Sequence, residues 1–401
     1  MLIKLFVNLV KYKIYNNLAK NFIYNGVYSI HCSSSLNYWF NLGSILGIAL
    51  VFQIISGLLL LLNYNSLERY ERIIFITIEV NYGWLIKLFH RNNARFIFLC
   101  LYLHLFKALS FNRWRLTYVW YSGLIIIIII IGAAFSGYVL VGSQISLWAA
   151  IVITRLISVF PLNGNNLMYF VWGGYRISWI TLQTLLLVHF ILPFLVLLTI
   201  IFHLNFLHKT GRTSLLYSHR IVEKITFFPF FWIKDIINIL VFTIFLVIIL
   251  LYPYSLGEVE LFEEANFLSS PAHIVPEWYF TCQYAILRRV PSKGIGVLIM
   301  FARIAILFLY PTIRNYITPA SNENIPIWVV MFVLQTYLSY LGFSPIRQPF
   351  VVLSLISMYF YFLYHLFNII IILMVEHRFS VCVNSLSIKR RIEAPKMKGT
   401  E

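Results

Sequence analysis

The chain alternates long, unbroken apolar runs with short polar connections. A run of about 20 mainly apolar residues can cross the hydrocarbon core of a bilayer as a helix. Eight such spans are expected, at residues 38–62, 84–107, 117–140, 181–206, 233–252, 295–314, 326–344 and 350–374. The runs are continuous, as in Leu124 to Ile131, whereas barrel strands alternate apolar and polar positions over about 10 residues. The expected fold is therefore an all-α polytopic membrane protein with eight transmembrane helices.

Two longer connections interrupt this pattern. Residues 141–180 include "SLWAAIVITRLISVFPLNGNNLMYF", which suits short interfacial helices, and residues 253–294 include "SSPAHIVPEWYFTCQYAILRRVPSKG". Long loops of this kind tend to carry function. The first 30 residues mix Lys4, Lys11, Lys13 and Lys20 with apolar positions. They are too short for a span and lack the cleavage site of a signal peptide, so an amphipathic helix on the membrane surface is expected.

Composition sharpens the class. Of 401 residues, 60% are hydrophobic and 11% charged, against about 25% charged in soluble domains. The net charge of +17 does not point to nucleic acid, because the basic residues sit between spans, where they determine topology. One set of loops holds Lys107, Arg113, Arg115, Lys209, Arg212, Arg220, Lys224, Lys234 and Arg314, together with the basic tail. The other holds most of the acids, including Glu258, Glu260, Glu263, Glu264 and Glu277. Both termini are thereby expected on the cytoplasmic or matrix side, in agreement with an even number of spans. Cys32, Cys100, Cys282 and Cys382 form no C-x-x-C pair, which argues against structural zinc, a dithiol site and covalent c-type haem.

The chemistry lies in four histidines. His90 and His104 are fourteen residues apart in the second span, and His189 and His203 are fourteen apart in the fourth. Fourteen residues are close to a whole number of helical turns, so each pair shares a face, its members about 21 Å apart along the axis. On antiparallel helices this gives two tiers, His90 with His189 and His104 with His203. Each tier is an axial ligand set for a six-coordinate haem. A histidine inside a span can also simply face the bundle interior and hydrogen-bond there, and a bridging metal without haem would leave two incomplete sites. Gly43 and Gly57 in the first span, and Gly123 and Gly137 in the third, repeat the fourteen-residue spacing. They give a flat macrocycle room beside the backbone, or else serve close helix packing.

On "NLGSILG", "QIISG", "VNYGWLIKLFH", "LYLH", "GYVL", "LWAAIVIT", "VWGGY", "HFILPF", "HLNFLHKTG", "KITFFPFFWIKD" and "PEWYFTCQYAILRRVPSKGIG", the chain resembles the cytochrome b family. These are the haem-bearing membrane subunits of respiratory complex III. The resemblance runs from about residue 36 to 375. The surface segment at 1–30 and the basic tail at 381–401 lie outside it; between them it implies a four-helix haem-binding bundle at 31–215 and a four-span C-terminal region with the PEWY loop at 216–380. It further implies two non-covalent b-type haems, the low-potential one on His90 and His189 and the high-potential one on His104 and His203. Pro276, Glu277, Trp278 and Tyr279 match the quinol-oxidation motif, with Glu277 the proton acceptor and Tyr284 lining the pocket. His208, Lys234, Asp235 and Ser44 match the quinone-reduction site. Electrons from ubiquinol would divide between an iron–sulfur partner and the haems, which return them to ubiquinone. The implied partners are the Rieske iron–sulfur protein, cytochrome c1, other complex III subunits, a second copy of the chain and cardiolipin. The implied location is the mitochondrial inner membrane with both termini in the matrix, or a bacterial plasma membrane. The photosynthetic b-type relatives divide this chain in two and have one more residue between the histidines of the fourth helix. A proton-coupled transporter with a histidine relay is the rival of a different class.

The chain departs from the family pattern at several places. The usual P-W-G-Q reads V-G-S-Q at Val141 to Gln144, and Phe228 stands where a histidine is common. Arginines that pair with haem propionates are replaced by Lys87, Thr184 and Lys107, with Arg176 the candidate to compensate and Trp120 a remaining propionate donor. Ala149 replaces a glycine beside the quinol pocket, and its methyl should narrow that pocket. Methoxyacrylate-type inhibitors are expected to bind weakly. A titration of quinol oxidation checks this, and ordinary nanomolar inhibition would contradict it.

Overall fold

The computed structural model describes residues 31–34, 36–210, 224–226, 230–255, 257, 259–271, 274–312 and 324–393. The expected surface helix at 1–30 lies outside them, as do Arg212, Arg220, Phe228 and Arg314 and the junction expected between 215 and 216. The helices are α1 (Leu42–Leu61), α2 (Arg69–Ile78), α3 (Gly83–Ser110), α4 (Thr117–Val139), α5 (Gln144–Thr154) and α6 (Gly164–Trp172). They continue with α7 (Trp179–Thr210), α8 (Phe230–Leu251), α9 (Thr281–Arg289), α10 (Lys293–Leu309), α11 (Asn324–Phe343) and α12 (Phe350–Glu393). A short antiparallel pair joins β1 (His31–Ser33) to β2 (Lys224–Thr226), with His31 opposite Thr226. The chain forms two compact units, Met1–Lys107 with Leu204–Glu258, and Ala108–His203 with Val259–Glu401.

Six helices among the described residues are long and apolar enough to cross a membrane, and a seventh if the bent pair α2–α3 is one span. Six of the expected spans thus appear close to their predicted places. The other two expected spans fall on α3 and α11. Helix α3 carries Lys87, Arg91, Arg95 and Lys107 among its 28 residues. Helix α11 is 20 residues long, without a charged side chain. The connection at 141–180 does form two short helices, α5 and α6, as expected.

In the first unit, α1, α3 and α8 meet through aromatic rings. Phe52 lies edge-on to Phe242 at 5.4 Å, and Phe96 stacks on Phe245 at 4.2 Å. With no water in the hydrocarbon, buried amides must find protein partners. Asn93 Nδ2 donates to the Ala49 carbonyl and to Gln53 Oε1, both at 2.8 Å, tying α3 to α1. Helices α2 and α3 meet at a 116° bend. Tyr82 there has φ +58°, and a Cβ on Gly83 would overlap the Ile76 carbonyl oxygen.

In the second unit, Gln144 opens α5 and fastens the following loop. Its backbone N–H donates to the Glu263 carbonyl at 2.9 Å, its amide to the Ser269 carbonyl at 2.6 Å, and its Oε1 accepts from Asn266 N–H at 2.6 Å. Arg289 on α9 donates to the carbonyls of Ser344 and Pro345 at 3.2 and 3.1 Å. Cys32, Cys100 and Cys282 are buried thiols outside any disulfide, and burial raises the Cys282 pKa. Gly342 on α11 packs against α9 so closely that a Cβ would overlap the Thr281 carbonyl oxygen and lie 2.8 Å from its carbon. Overpacking of this kind costs about 1–3 kcal/mol. Gly342→Ala should therefore lower the thermal unfolding midpoint of the purified protein, which differential scanning calorimetry would measure.

Candidate haem and quinone sites

Every one of the four histidines faces one of the four glycines. In the first unit, a Cβ on Gly57 would lie 2.9 Å from His90 Cε1, and one on Gly43 would lie 3.5 Å from His104 Cε1. In the second unit, a Cβ on Gly123 would lie 3.3 Å from His203 Cε1. One on Gly137 would overlap His189 Cε1 and lie 2.9 Å from Nδ1. So α1 presents bare backbone to both rings of α3, and α4 presents it to both rings of α7. The repeat of fourteen on each helix is what brings these positions opposite one another. Imidazole against a backbone without Cβ is the donor set and the clearance that a b-type haem needs, and these residues fit it.

A serine precedes three of the four glycines, and each of these hydroxyls approaches the facing ring. Ser56 Oγ is 3.0 Å from His90 Nδ1, Ser122 Oγ is 2.8 Å from His203 Nδ1, and Ser136 Oγ is 3.5 Å from His189 Nδ1. The Ala133 carbonyl also lies 2.8 Å from His189 Nδ1. The residue before Gly43 is Leu42. Sequence reading missed these serines, although the repeated Ser-Gly in register with the histidines was a signal for them.

A polar cluster forms where the start of α1 meets the start of α8. Ser44 Oγ donates to Asp235 Oδ1 at 2.7 Å, and Asn238 Nδ2 donates to Ser44 Oγ at 2.6 Å. Lys234 Nζ donates to the Leu36 carbonyl at 2.6 Å and sits over the rings of Tyr38 and Phe231. Asn41 Nδ2 donates to the Lys234 carbonyl at 2.9 Å. Ser44, Lys234 and Asp235, expected from sequence, are thus together, and Asn41 and Asn238 join them unforeseen. His208 lies exposed near the C-terminal end of α7.

The PEWY segment packs as a compact turn. Pro276 and Tyr279 are buried, Glu277 and Trp278 half-buried, and Trp278–Phe280 forms a 3-10 turn whose Phe280 N–H donates to the Glu277 carbonyl at 2.8 Å. Tyr284 gives its hydroxyl proton to the Ile274 carbonyl at 2.6 Å, with Arg288 over its ring. Ala149 is buried on α5.

The groups expected near propionates are held in several ways. Lys107 is buried with Nζ 4.6 Å from the centre of the Phe40 ring. Lys87 Nζ donates to Thr77 Oγ1 at 2.5 Å. Thr184 donates to the Ile180 carbonyl of its own helix, and Arg176 is exposed. Trp120, read as a propionate donor, gives its indole N–H to the Leu307 carbonyl at 2.9 Å.

Comparison with known proteins agrees with this chemistry. Two family models match, Cytochrome b/b6/petB over residues 27–211 and Cytochrome b(C-terminal)/b6/petD over residues 264–362. Cytochrome b of Caenorhabditis elegans is 41% identical over 350 residues, 86% of this chain and 94% of the relative. Cytochrome b of Caenorhabditis briggsae is 41% identical over 349 residues, with the same coverage. A chain of a hyperthermophilic respiratory complex III shares the fold, with a TM-score of 0.82, 24% identity and coverage of 92% of this chain and 99% of that one. With its histidines, glycines and PEWY turn in the places described, and with both family models and these relatives matched, this chain belongs to the cytochrome b family.

Proposed function

We propose that the chain is the cytochrome b subunit of a ubiquinol–cytochrome c oxidoreductase. It oxidises quinol on one side of the membrane, reduces quinone on the other and couples the two to proton translocation. The observation that carries this reading is the matching of four imidazoles to four glycine backbones, within the architecture of its family. A histidine relay for a transported proton has no use for that clearance, so the transporter reading is not favoured.

In this reading two b-type haems are held by His90 with His189 and by His104 with His203, with Lys107 and Lys87 as nearby positive charge. Bound there, they supply one-electron transfer through the hydrocarbon. The chain's own residues do the rest. Glu277, at the head of the PEWY turn, takes a quinol proton, and Pro276, Trp278, Tyr279 and Tyr284 shape the pocket. On the reduction side, Asp235 and His208 deliver protons, Ser44 and Asn238 hold Asp235 in place, and Lys234 adds positive charge to the same cluster.

Eight spans, with the first four as the haem bundle, remain the topology proposed for the chain in its membrane. The proposed surroundings are the mitochondrial inner membrane, with both termini in the matrix. The proposed partners are the Rieske protein, cytochrome c1, further complex III subunits, a second copy and cardiolipin. The distribution of basic loops and the family membership support this setting.

A reduced-minus-oxidised spectrum of the purified native complex tests the reading. Two b-type α-bands and quinol-dependent reduction of cytochrome c are expected, and a colourless protein would refute it. The glycines should grade by clearance. Gly137→Ala is expected to lose one haem by pyridine haemochrome assay, whereas Gly43→Ala, with an ordinary contact distance, keeps both. Glu277→Gln should slow quinol oxidation by about 10²-fold at unchanged haem content, measured by steady-state reduction of cytochrome c.

A further inference from the structure

The hydroxyls of Ser56, Ser122 and Ser136 have their own protons engaged within their helices. Ser56 donates to the carbonyls of Phe52 and Gln53 at 2.9 and 3.1 Å. Ser122 donates to those of Tyr118 and Val119 at 2.8 and 3.0 Å, and Ser136 to those of Gly132 and Ala133 at 2.8 and 3.0 Å. A hydroxyl has one proton to give and two lone pairs to accept with. Toward the histidine, each serine oxygen is therefore left as an acceptor.

The ring nitrogen facing it must then be the donor. On His90 and His203 that donor is Nδ1–H in the tautomer this arrangement favours, with Ser56 and Ser122 at 3.0 and 2.8 Å from Nδ1. A neutral imidazole protonated at Nδ1 has its lone pair on Nε2. Two independent contacts agree. At His189 a carbonyl, which can only accept, lies 2.8 Å from Nδ1. At His90 the Gln53 amide nitrogen lies 3.4 Å from Nε2, and its orientation is fixed because Gln53 Oε1 accepts from Asn93.

We propose that Ser56 and Ser122 are positioning residues that hold His90 and His203 in the Nδ1-protonated tautomer and raise the basicity of Nε2 toward an iron. This inference rests on the haem reading and goes beyond it by assigning the ligating atom and the groups that tune it. A hydrogen bond accepted from Nδ1–H makes the ligand more electron-rich and so favours the ferric state. Its removal therefore makes the haem easier to reduce. The third serine, Ser136, is at the limit of hydrogen-bond distance and shares His189 with a carbonyl, so its removal should matter less.

The test is redox titration, followed by optical spectroscopy, of the intact complex carrying Ser122→Ala, Ser122→Cys, Ser122→Thr or Ser136→Ala. In Ser122→Ala, both haems are retained and one midpoint rises. At the wild-type midpoint, the ratio of reduced to oxidised haem in that centre should climb about three- to tenfold, the worth of one hydrogen bond. The second haem is unchanged. Ser122→Thr keeps the acceptor and should titrate as wild type, whereas Ser136→Ala shifts less than Ser122→Ala. If the alanine variant does not assemble, Ser122→Cys, with a much weaker acceptor of similar size, shifts in the same direction. Unchanged midpoints in Ser122→Ala or Ser122→Cys, or a threonine variant that shifts as far as alanine, would overturn the proposal. If no substituted complex assembles, the wild type decides: loss of the exchangeable Nδ1 proton signal from its low-spin ferric haem spectrum, by electron–nuclear double resonance, would also overturn it. Absence of haem from the wild-type complex would instead sink the reading on which the proposal rests.

Discussion

An imidazole in hydrocarbon has no water to satisfy it, so the protein must supply partners for both ring nitrogens. Here the fold presses each ring against a helix that lacks a side chain at the point of contact. The ring edge meets bare backbone at Gly43, Gly57, Gly123 or Gly137. Three of the rings also reach a serine one residue before the glycine. Everything chemical in the chain is built outward from this one arrangement. It gives a reason for the fourteen-residue repeat of glycine on both α1 and α4.

Away from the histidines, the same rule governs polar side chains. The Ser44–Asp235–Asn238 cluster is internally hydrogen-bonded, which lets a carboxylate sit at the head of a span. Gln144 shows the rule in a loop, where one amide side chain binds both a carbonyl and an N–H of the segment at 263–269. The loop turns at Gly142, whose φ is +66°, and Ser143 pairs with Glu264.

Much of this was legible from residue order. Continuous apolar runs located six helices, and the fourteen-residue spacing shared by histidines and glycines is the spacing at which they meet within each unit. Helix α3 shows why a count of spans is harder to read. It carries four basic residues, so its membrane character comes from histidines and motif rather than from hydropathy. Polar partners were the least visible. Ser56, Ser122 and Ser136 look like small packing residues in an oily run, and only their place before glycines in register with the histidines marks them. The carbonyl that accepts from Trp120, at Leu307, is remote in the chain and equally invisible in residue order.

Helix α12 is 44 residues long, and the uncharged run that opens it, Phe350 to Val375, accounts for only 26 of them. At 1.5 Å per residue, a straight helix of that length measures about 66 Å, more than twice a bilayer's hydrocarbon thickness. Positions 389–391 begin fourteen residues past Val375, about 21 Å further along the axis of a straight helix. The electric field of a charged bilayer surface fades within about 8–10 Å at physiological salt. A straight α12 therefore carries the sequence Lys-Arg-Arg at its far end past the range of that field.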